Sequence, residues 1–289
     1  MPWYVYFIAG GSTFLPGAGL IALAVTCRSF FRRRWVEVLS IAMAVVGIVL
    51  VVISAEALPR WLYLLWIVLN LAWFLRDAFK NRRFRRAIDI GILAVTFFCV
   101  AIAISYRMRP SLPTAAFAQL YVIGDSISAG IGDEHGTTWP GIMQADHQVK
   151  VINLARAGST IGDATRHLNR DSLADGLVLL EVGGNDIIGH TSADQFGANL
   201  EALAKKVCPG REVVMLELPL FPFDNAYGIQ QRRVASLYKI HLIPRRYFVG
   251  VLDAPGATLD GIHLSAIGHR RMEQMIWGIV GPSLRATLQ

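Results

Sequence analysis

Apolar positions are distributed unevenly along the chain, in long runs before residue 107 and in short runs after it. Because a membrane-spanning helix needs roughly 20 apolar residues, with a range of about 17–25, the first half predicts transmembrane helices. The third run is short unless Arg60 extends its side chain to the interface, so a re-entrant segment is the alternative there. The four predicted segments are residues 3–27, 36–55, 57–75 and 88–106.

The second half has a different pattern, in which short apolar runs alternate with helix-like segments. This alternation predicts an α/β domain with a parallel sheet over residues 117–289. Pro110 and Pro113 make residues 107–116 a short, extended linker. The predicted strands are 119–123, 149–153, 177–182, 213–218 and 247–252, and the predicted helices are 160–168, 193–207, 227–241 and 265–279.

Composition and charge agree with a membrane protein. The chain is 54% hydrophobic and only 17% charged, which is too apolar for an ordinary soluble protein. The net charge of +7 divides into +9 for residues 1–116 and −2 for residues 117–289. The basic excess therefore lies between apolar segments, and we expect no nucleic-acid partner. Cys208 is the only cysteine after the linker, so an internal disulfide is not expected in that domain.

The basic residues also predict an orientation. They concentrate after the first and third apolar segments, and the positive-inside rule places both loops in the cytoplasm. The N-terminus and the C-terminal domain are then expected on the periplasmic or extracellular side of a bacterial inner (cell) membrane. No basic residue precedes the first apolar run, unlike a secretory signal peptide. The residues of the two loops are Arg28, Arg32, Arg33 and Arg34, and then Arg76, Lys80, Arg82, Arg83, Arg85 and Arg86.

A candidate nucleophile follows the first predicted strand. Ser126 lies two residues beyond Gly124, in a turn that could fix its approach to an acyl carbon. A serine at this position could equally be a helix N-cap. The α/β-hydrolase elbow motif does not apply, because Ser128 stands where that motif has its last glycine.

A candidate base and its orienting acid precede the last predicted helix. Asp260 and His263 are three residues apart, which allows the carboxylate to bond one ring nitrogen while the other nitrogen faces the serine. The alternative is a solvated aspartate and a surface histidine.

Candidate oxyanion donors occur at two further places. Asn185 follows Gly183 and Gly184 at the end of a strand, where its amide could bond an oxyanion, and Gly158 could contribute its N–H. Each could instead be a simple turn residue. Asp125 and Asp186 are interpreted as structural polar residues, because no metal-ligand spacing is present; we expect no metal and no cofactor.

The order of these four motifs resembles the SGNH (GDSL) hydrolase family, whose name-giving residues match Ser126, Gly158, Asn185 and His263. Asp260 fits the family's Asp-x-x-His motif. The run Gly124–Gly130 followed by Trp139 and Pro140 looks most like the bacterial thioesterase I/lysophospholipase/arylesterase branch. The resemblance implies a flavodoxin-like three-layer α/β/α domain, a catalytic triad of Ser126, His263 and Asp260, and an oxyanion hole of the Ser126 and Gly158 N–H groups with the Asn185 amide.

We therefore expect a membrane-anchored serine esterase whose partners are the lipid bilayer and an acyl ester, such as a lysophospholipid or a thioester. An O-acetylesterase or acyltransferase acting on an envelope glycan is the alternative with the same chemistry. A non-enzymic membrane sensor is a third possibility, although decay of a hydrolase would be expected to remove one of the five catalytic residues.

Overall fold

A computed structural model describes residues 2–31, 33–130, 138–169 and 173–286. Arg32, one of the predicted loop cations, lies outside the described residues. The chain forms two compact units. The helical unit comprises Phe7–Arg107 and Leu220–Asn225, and the α/β unit comprises Met1–Tyr6, Met108–Pro219 and Ala226–Gln289.

Apolar helices dominate the chain before residue 107. Two of them, α3 and α5, are long and apolar enough to cross a membrane, and a third span exists if α1 and α2 are counted as one bent segment. The helix bounds are α1 Trp3–Ala9, α2 Phe14–Phe30, α3 Arg34–Ile53, α4 Arg60–Phe74 and α5 Arg82–Ser105.

The prediction of four continuous spans needs correction at two places. Residues 3–27 do not form one helix, because the chain bends by 74° between α1 and α2. Gly11 adopts a φ of +72° at this break, a conformation that ends a right-handed helix. Helix α4 has 15 residues, and at 1.5 Å per residue it is about 22 Å long, shorter than the roughly 30 Å hydrocarbon core. The described helices thus supply two or three candidate spans.

Helices α2 and α3 approach closely where both carry glycine. A Cβ added to Gly17 would lie 2.7 Å from the Gly47 carbonyl oxygen, and a Cβ on Gly47 would lie 2.7 Å from the Gly17 oxygen. Small residues at such crossings let helix backbones pack tightly in membranes, where burial of apolar surface drives little association.

Ion pairs that each contain at least one buried residue lie in the helical unit. Arg76 bonds Asp89 at 2.8 Å, and Arg28 bonds Asp77. Glu56, which is buried, pairs with Arg107 at 3.2 Å between Nη2 and Oε2. Because a charge inside the bilayer is expensive, each of these groups is held by an opposite charge.

A five-stranded parallel sheet forms the centre of the α/β unit. Its spatial order is β2-β1-β3-β4-β5, the doubly wound order of flavodoxin. Strand β1 lies between β2 and β3 and places Leu120 opposite Val151 on one side and opposite Leu177 on the other. The strands are β1 Gln119–Gly124, β2 Lys150–Asn153, β3 Leu177–Glu181, β4 Val213–Leu216 and β5 His241–Ile243.

Helices connect these strands. Helix α8 packs against α10, and helices α7 and α12 both pack against α13. Strands β1, β3 and β4 are buried along their whole length, as both-face coverage requires. The helix bounds are α6 Ser126–Ala129, α7 Trp139–His147, α8 Ile161–His167, α9 Gly184–Ile188, α10 Ala193–Val207, α11 Asn225–Tyr238, α12 Arg245–Leu252 and α13 Ala266–Val280.

The fifth predicted strand, residues 247–252, is wrong, because this segment lies in helix α12. Its buried residues include Phe248, Val249 and Leu252, a spacing that matches one helical face better than a strand. The actual strand is His241–Ile243. The helix predicted to run to residue 241 ends at Tyr238, since Lys239 has a φ of +56°.

Candidate active site

The candidate nucleophile lies in a tight turn at the carboxyl end of β1. Asp125 is the N-cap of the short helix α6, and its Oδ1 accepts the Ile127 N–H at 3.0 Å. Ser126 is the first residue of that helix. Gly130, with a φ of +85°, ends it one turn later. The sequence left open that Ser126 is a helix N-cap. Asp125 is the N-cap of α6 instead.

Ser128 anchors this turn through a buried hydrogen-bond network that was not predicted from the sequence. Its hydroxyl donates to Glu181 Oε2 at 2.6 Å and accepts the Trp139 Nε1–H at 3.2 Å. A Cβ on Gly124 would lie 2.8 Å from both the Glu181 carboxyl oxygen and the Ser128 hydroxyl, so a side chain there would displace the network. One signal in the sequence could have indicated Glu181, since an acidic residue at the end of an apolar strand is unusual.

Two carboxyl groups are buried together beneath the turn. Burial raises the pKa of Asp125 from 3.8 to about 6, although the bond from the Ile127 N–H and the side-chain hydrogen bond with Glu181 act in the opposite direction. Burial also raises the pKa of Glu181 well above its usual range, and the neighbouring Asp125 charge adds to this rise. Taking a carboxylate out of water disfavours its charged form, and two adjacent carboxylates disfavour it further.

Gly158 and Asn185 lie next to the nucleophile turn. Gly158 has a φ of +70°, and a Cβ there would meet no atom within 4 Å, so its backbone conformation rather than crowding favours glycine. The Asn185 amide nitrogen donates to Ser159 O at 3.1 Å and to Asp125 Oδ2 at 3.3 Å. These bonds tie the end of β3 to the loop after β2 and to the nucleophile turn.

Asp186 supports the neighbouring helix. Its Oδ2 accepts the Ile161 N–H at 2.8 Å, at the first turn of α8. Burial raises the pKa of Asp186 above its usual range. Asp125 and Asp186 thus both accept backbone N–H groups, as their interpretation as structural polar residues requires.

Asp260 and His263 form a direct pair in the loop before α13. His263 Nδ1 lies 2.7 Å from Asp260 Oδ2, while Asp260 Oδ1 accepts the backbone N–H groups of Ile262 and His263 at 2.9 Å each. These three bonds, led by the one to the imidazole, hold the pKa of Asp260 well below its usual range. An ionised carboxylate only accepts, so Nδ1 carries the proton and Nε2 is left as the basic nitrogen.

The loop that carries this pair is held at both sides. Leu259 N donates to His263 O at 2.9 Å, and Gly261 adopts a φ of +97°. Tyr6, which belongs to the α/β unit, donates its hydroxyl to Gly261 O at 3.2 Å. Nothing in the sequence of Tyr6 and its neighbours indicated this contact.

The nucleophile turn and the histidine loop both belong to the α/β unit. Among the described residues, the Ser126 hydroxyl makes no hydrogen bond to the His263 ring. Catalytic hydrogen bonds are often long in substrate-free enzymes and shorten when substrate binds.

Comparison with known proteins identifies a family and individual esterases that this chain resembles. A profile of the GDSL-like Lipase/Acylhydrolase family matches residues 122–271. Esterase TesA of Pseudomonas aeruginosa is 31% identical over 189 residues, covering 59% of this chain and 91% of TesA. An arylesterase of Vibrio mimicus is 29% identical over 184 residues, covering 58% of this chain and 86% of that enzyme.

A solved structure shares the fold. The crystal structure of the psychrotrophic esterase EstA from Pseudoalteromonas sp., inhibited by monoethylphosphonate, superposes with a TM-score of 0.51. Its sequence identity is 19%, and the match covers 57% of this chain and 97% of EstA. The family match and the two esterase relatives define a hydrolase that acts on ester bonds. The chain belongs to the GDSL-like lipase/acylhydrolase family, also called the SGNH hydrolases, with apolar helices added before its esterase domain.

Proposed function

We propose that this protein is a membrane-anchored serine esterase that works through an acyl-enzyme. The Asp260–His263 pair carries the proposal, because it fixes the ring with Nδ1 protonated and Nε2 basic. Ser126 Oγ attacks the acyl carbon while His263 Nε2 takes the hydroxyl proton. The bond between the acyl carbon and the leaving oxygen or sulfur then breaks, and His263 returns the proton to the leaving group. Water activated by His263 releases the acid and restores Ser126.

The negative charge of the tetrahedral intermediate needs hydrogen-bond donors. The Ser126 and Gly158 N–H groups and the Asn185 amide are the proposed donors. Because both Asn185 amide bonds are used in the substrate-free protein, we propose that the longer one, to Asp125 at 3.3 Å, is replaced by the bond to the oxyanion.

We propose that the esterase domain lies on the periplasmic or extracellular side of the cell membrane. The segment that leads into α5 carries the basic excess, while Arg107 and Arg109 are the basic residues that follow the helix within the linker. This asymmetry orients α5 by the positive-inside rule, whether or not α4 crosses the bilayer. A domain held near the bilayer has ready access to acyl chains, which favours a lipid-like ester such as a lysophospholipid.

Hydrolysis of p-nitrophenyl esters from acetyl to palmitoyl by the full chain in detergent tests the proposal. Ser126→Ala is expected to lower turnover by more than about 10³-fold, since the nucleophile is lost. Ser236→Ala is the matched control, because Ser236 is an exposed serine of α11, and it is expected to leave turnover unchanged. Equal turnover in both variants would overturn the assignment of Ser126.

A further inference from the structure

A cavity of about 270 Å³ adjoins the candidate site at the carboxyl ends of β1 and β2. Gly124, two residues before Ser126, lines it on one side. Ser159, which follows Gly158 and accepts the Asn185 amide through its carbonyl, lines another part. A substrate whose carbonyl oxygen lies in the proposed oxyanion hole therefore has this cavity next to its reacting ester.

Two basic side chains line the cavity. Arg156 and His167 are both exposed, and the described lining residues include no carboxylate. The Arg156 backbone is fixed on both sides, because its N–H donates to Gly124 O and its carbonyl accepts the Ser159 N–H, each at 3.1 Å. Its guanidinium forms no ion pair with a carboxylate of the described residues. The Arg156 backbone is thus anchored beside the nucleophile turn, and its guanidinium has no counter-ion among the described lining residues.

The other walls are too small and too polar to receive a long acyl chain. Apolar contributions come from Ile123, Leu154, Ala164 and Leu168, while backbone and amide groups provide much of the remaining surface. Arginine, with its planar set of donors, bonds phosphate through two nitrogens and remains charged at all working pH values. An anionic group is therefore the ligand that this lining suits.

We propose that Arg156 and His167 form a subsite for a phosphate carried by the alcohol part of the ester. This proposal rests on the proposed esterase function and narrows its substrate class to single-chain acyl esters with an anionic leaving alcohol, as in a lysophospholipid. Arg156 and His167 act as binding residues: they hold the phosphate while the bond from the acyl carbon to the alcohol oxygen breaks and His263 protonates that oxygen.

Two esters with the same acyl chain test the subsite: 1-lauroylglycerol and 1-lauroylglycerol 3-phosphate, each below its micelle concentration. The full chain in detergent is expected to show a higher kcat/KM for the phosphate ester. Arg156→Gln is expected to reduce that preference about tenfold, mainly through KM, because the charge-assisted hydrogen bonds to the phosphate are lost. His167→Gln is expected to reduce it in the same direction, and provides a second variant should Arg156→Gln fail to fold.

Arg166→Gln is the matched control. Arg166 lies next to His167 in α8 and pairs with Asp163, but does not line the cavity, so its loss is expected to leave the preference unchanged. Acetyl esters of the same two alcohols show whether the phosphate is read on soluble esters or only on lipids, and a preference in either pair that falls in Arg156→Gln supports the subsite.

Two other results would overturn the proposal. If wild type shows no preference for the phosphate ester in either the lauroyl or the acetyl pair, or if Arg156→Gln leaves that preference as unchanged as Arg166→Gln does, the subsite is refuted while the esterase function stands. If neither ester nor p-nitrophenyl acetate is hydrolysed and Ser126 resists phosphonate labelling, the subsite fails because the proposed function itself has failed.

Discussion

At the scale of single residues, the site depends on how a few polar groups are partnered. The motifs Ser126, Gly158, Asn185 and the Asp260–His263 pair could all be found from the sequence, because each follows a predicted strand or precedes a predicted helix. Glu181 and Ser128 could not be assigned a role, since their bond joins the end of β3 to helix α6 across 53 residues of the chain. Pairing of buried polar groups is a tertiary property that local patterns do not contain.

The Asn185 amide gives the first prediction. Asn185→Ala is expected to reduce kcat by about 10²–10³ with little change in KM, because an oxyanion donor acts mainly in the transition state. Steady-state kinetics on one p-nitrophenyl ester measure this. Near-normal kcat in the variant would remove Asn185 from the oxyanion hole and leave the Ser126 and Gly158 N–H groups as the proposed donors.

The raised pKa of Asp125 gives a prediction about pH and stability. Between its ordinary value of 3.8 and its folded value of about 6, the folded protein binds a proton that the unfolded chain has lost. This contribution is complete below pH 3.8 and disappears as the pH rises through about 6, and it amounts to at most about 3 kcal/mol. Asp125→Asn does not titrate, and its side-chain oxygen still accepts the Ile127 N–H.

The unfolding temperature of the esterase domain, measured by calorimetry on the full chain at pH 4, 5, 6 and 7, is therefore expected to fall more steeply with pH in wild type than in Asp125→Asn. Glu181 titrates in both proteins, but the Asp125 charge contributes to its raised pKa, so the difference between the two curves reports the Asp125 carboxyl together with its effect on Glu181. Parallel curves for wild type and variant would show that Asp125 does not hold an extra proton in the folded state.

At the scale of elements, apolar runs predicted four of the five strands because those strands have continuous apolar sequences. Strand β5 was missed since it has three residues and lies beside the more apolar helix α12. The break between α1 and α2 was missed because Gly10, Gly11, Ser12 and Thr13 carry no charge and did not divide the predicted segment, whereas the bend depends on the backbone conformation of Gly11. Hydropathy indicates which residues are buried, but it does not indicate where the helix axis bends.

The crossing of α2 and α3 gives a prediction at this scale. Gly47→Val is expected to lower the unfolding temperature in detergent, because its Cβ would approach the Gly17 carbonyl oxygen and Ile21 to within 3 Å. Gly19→Val is the matched control, since a Cβ on Gly19 would meet no atom within 4 Å. Thermal unfolding of both variants in the same detergent measures the difference, and equal stability would show that α2 and α3 do not cross at these glycines.

At the scale of the whole molecule, the distribution of charge along the sequence predicts the orientation of the protein in the membrane, which the fold does not show. The fold shows a five-stranded esterase domain and two or three candidate spans, whereas the charge distribution predicts the side on which the domain lies. The proposed orientation rests on the basic residues that precede α5 or lie in its first turns, because the positive-inside rule places them in the cytoplasm.

Fusions to reporter enzymes test this orientation. Alkaline phosphatase joined after residue 286 is expected to be active and green fluorescent protein at the same place dark. The same reporters joined after Lys80 are expected to give the opposite pair, because residue 80 lies on the cytoplasmic side of α5 in this proposal. A dark phosphatase and bright fluorescence at residue 286 would place the esterase domain in the cytoplasm.

Ser126 as the nucleophile is the central claim, and covalent labelling of the full chain with a fluorophosphonate tests it most directly. Attack by Ser126 Oγ on phosphorus, with loss of fluoride, is expected to leave one adduct per chain on the peptide that contains Ser126. Mass spectrometry is expected to find no adduct in Ser126→Ala and much slower labelling in His263→Ala, because the base that removes the hydroxyl proton is then absent. An adduct on a different serine, or undiminished ester hydrolysis without an adduct on Ser126, would contradict the account.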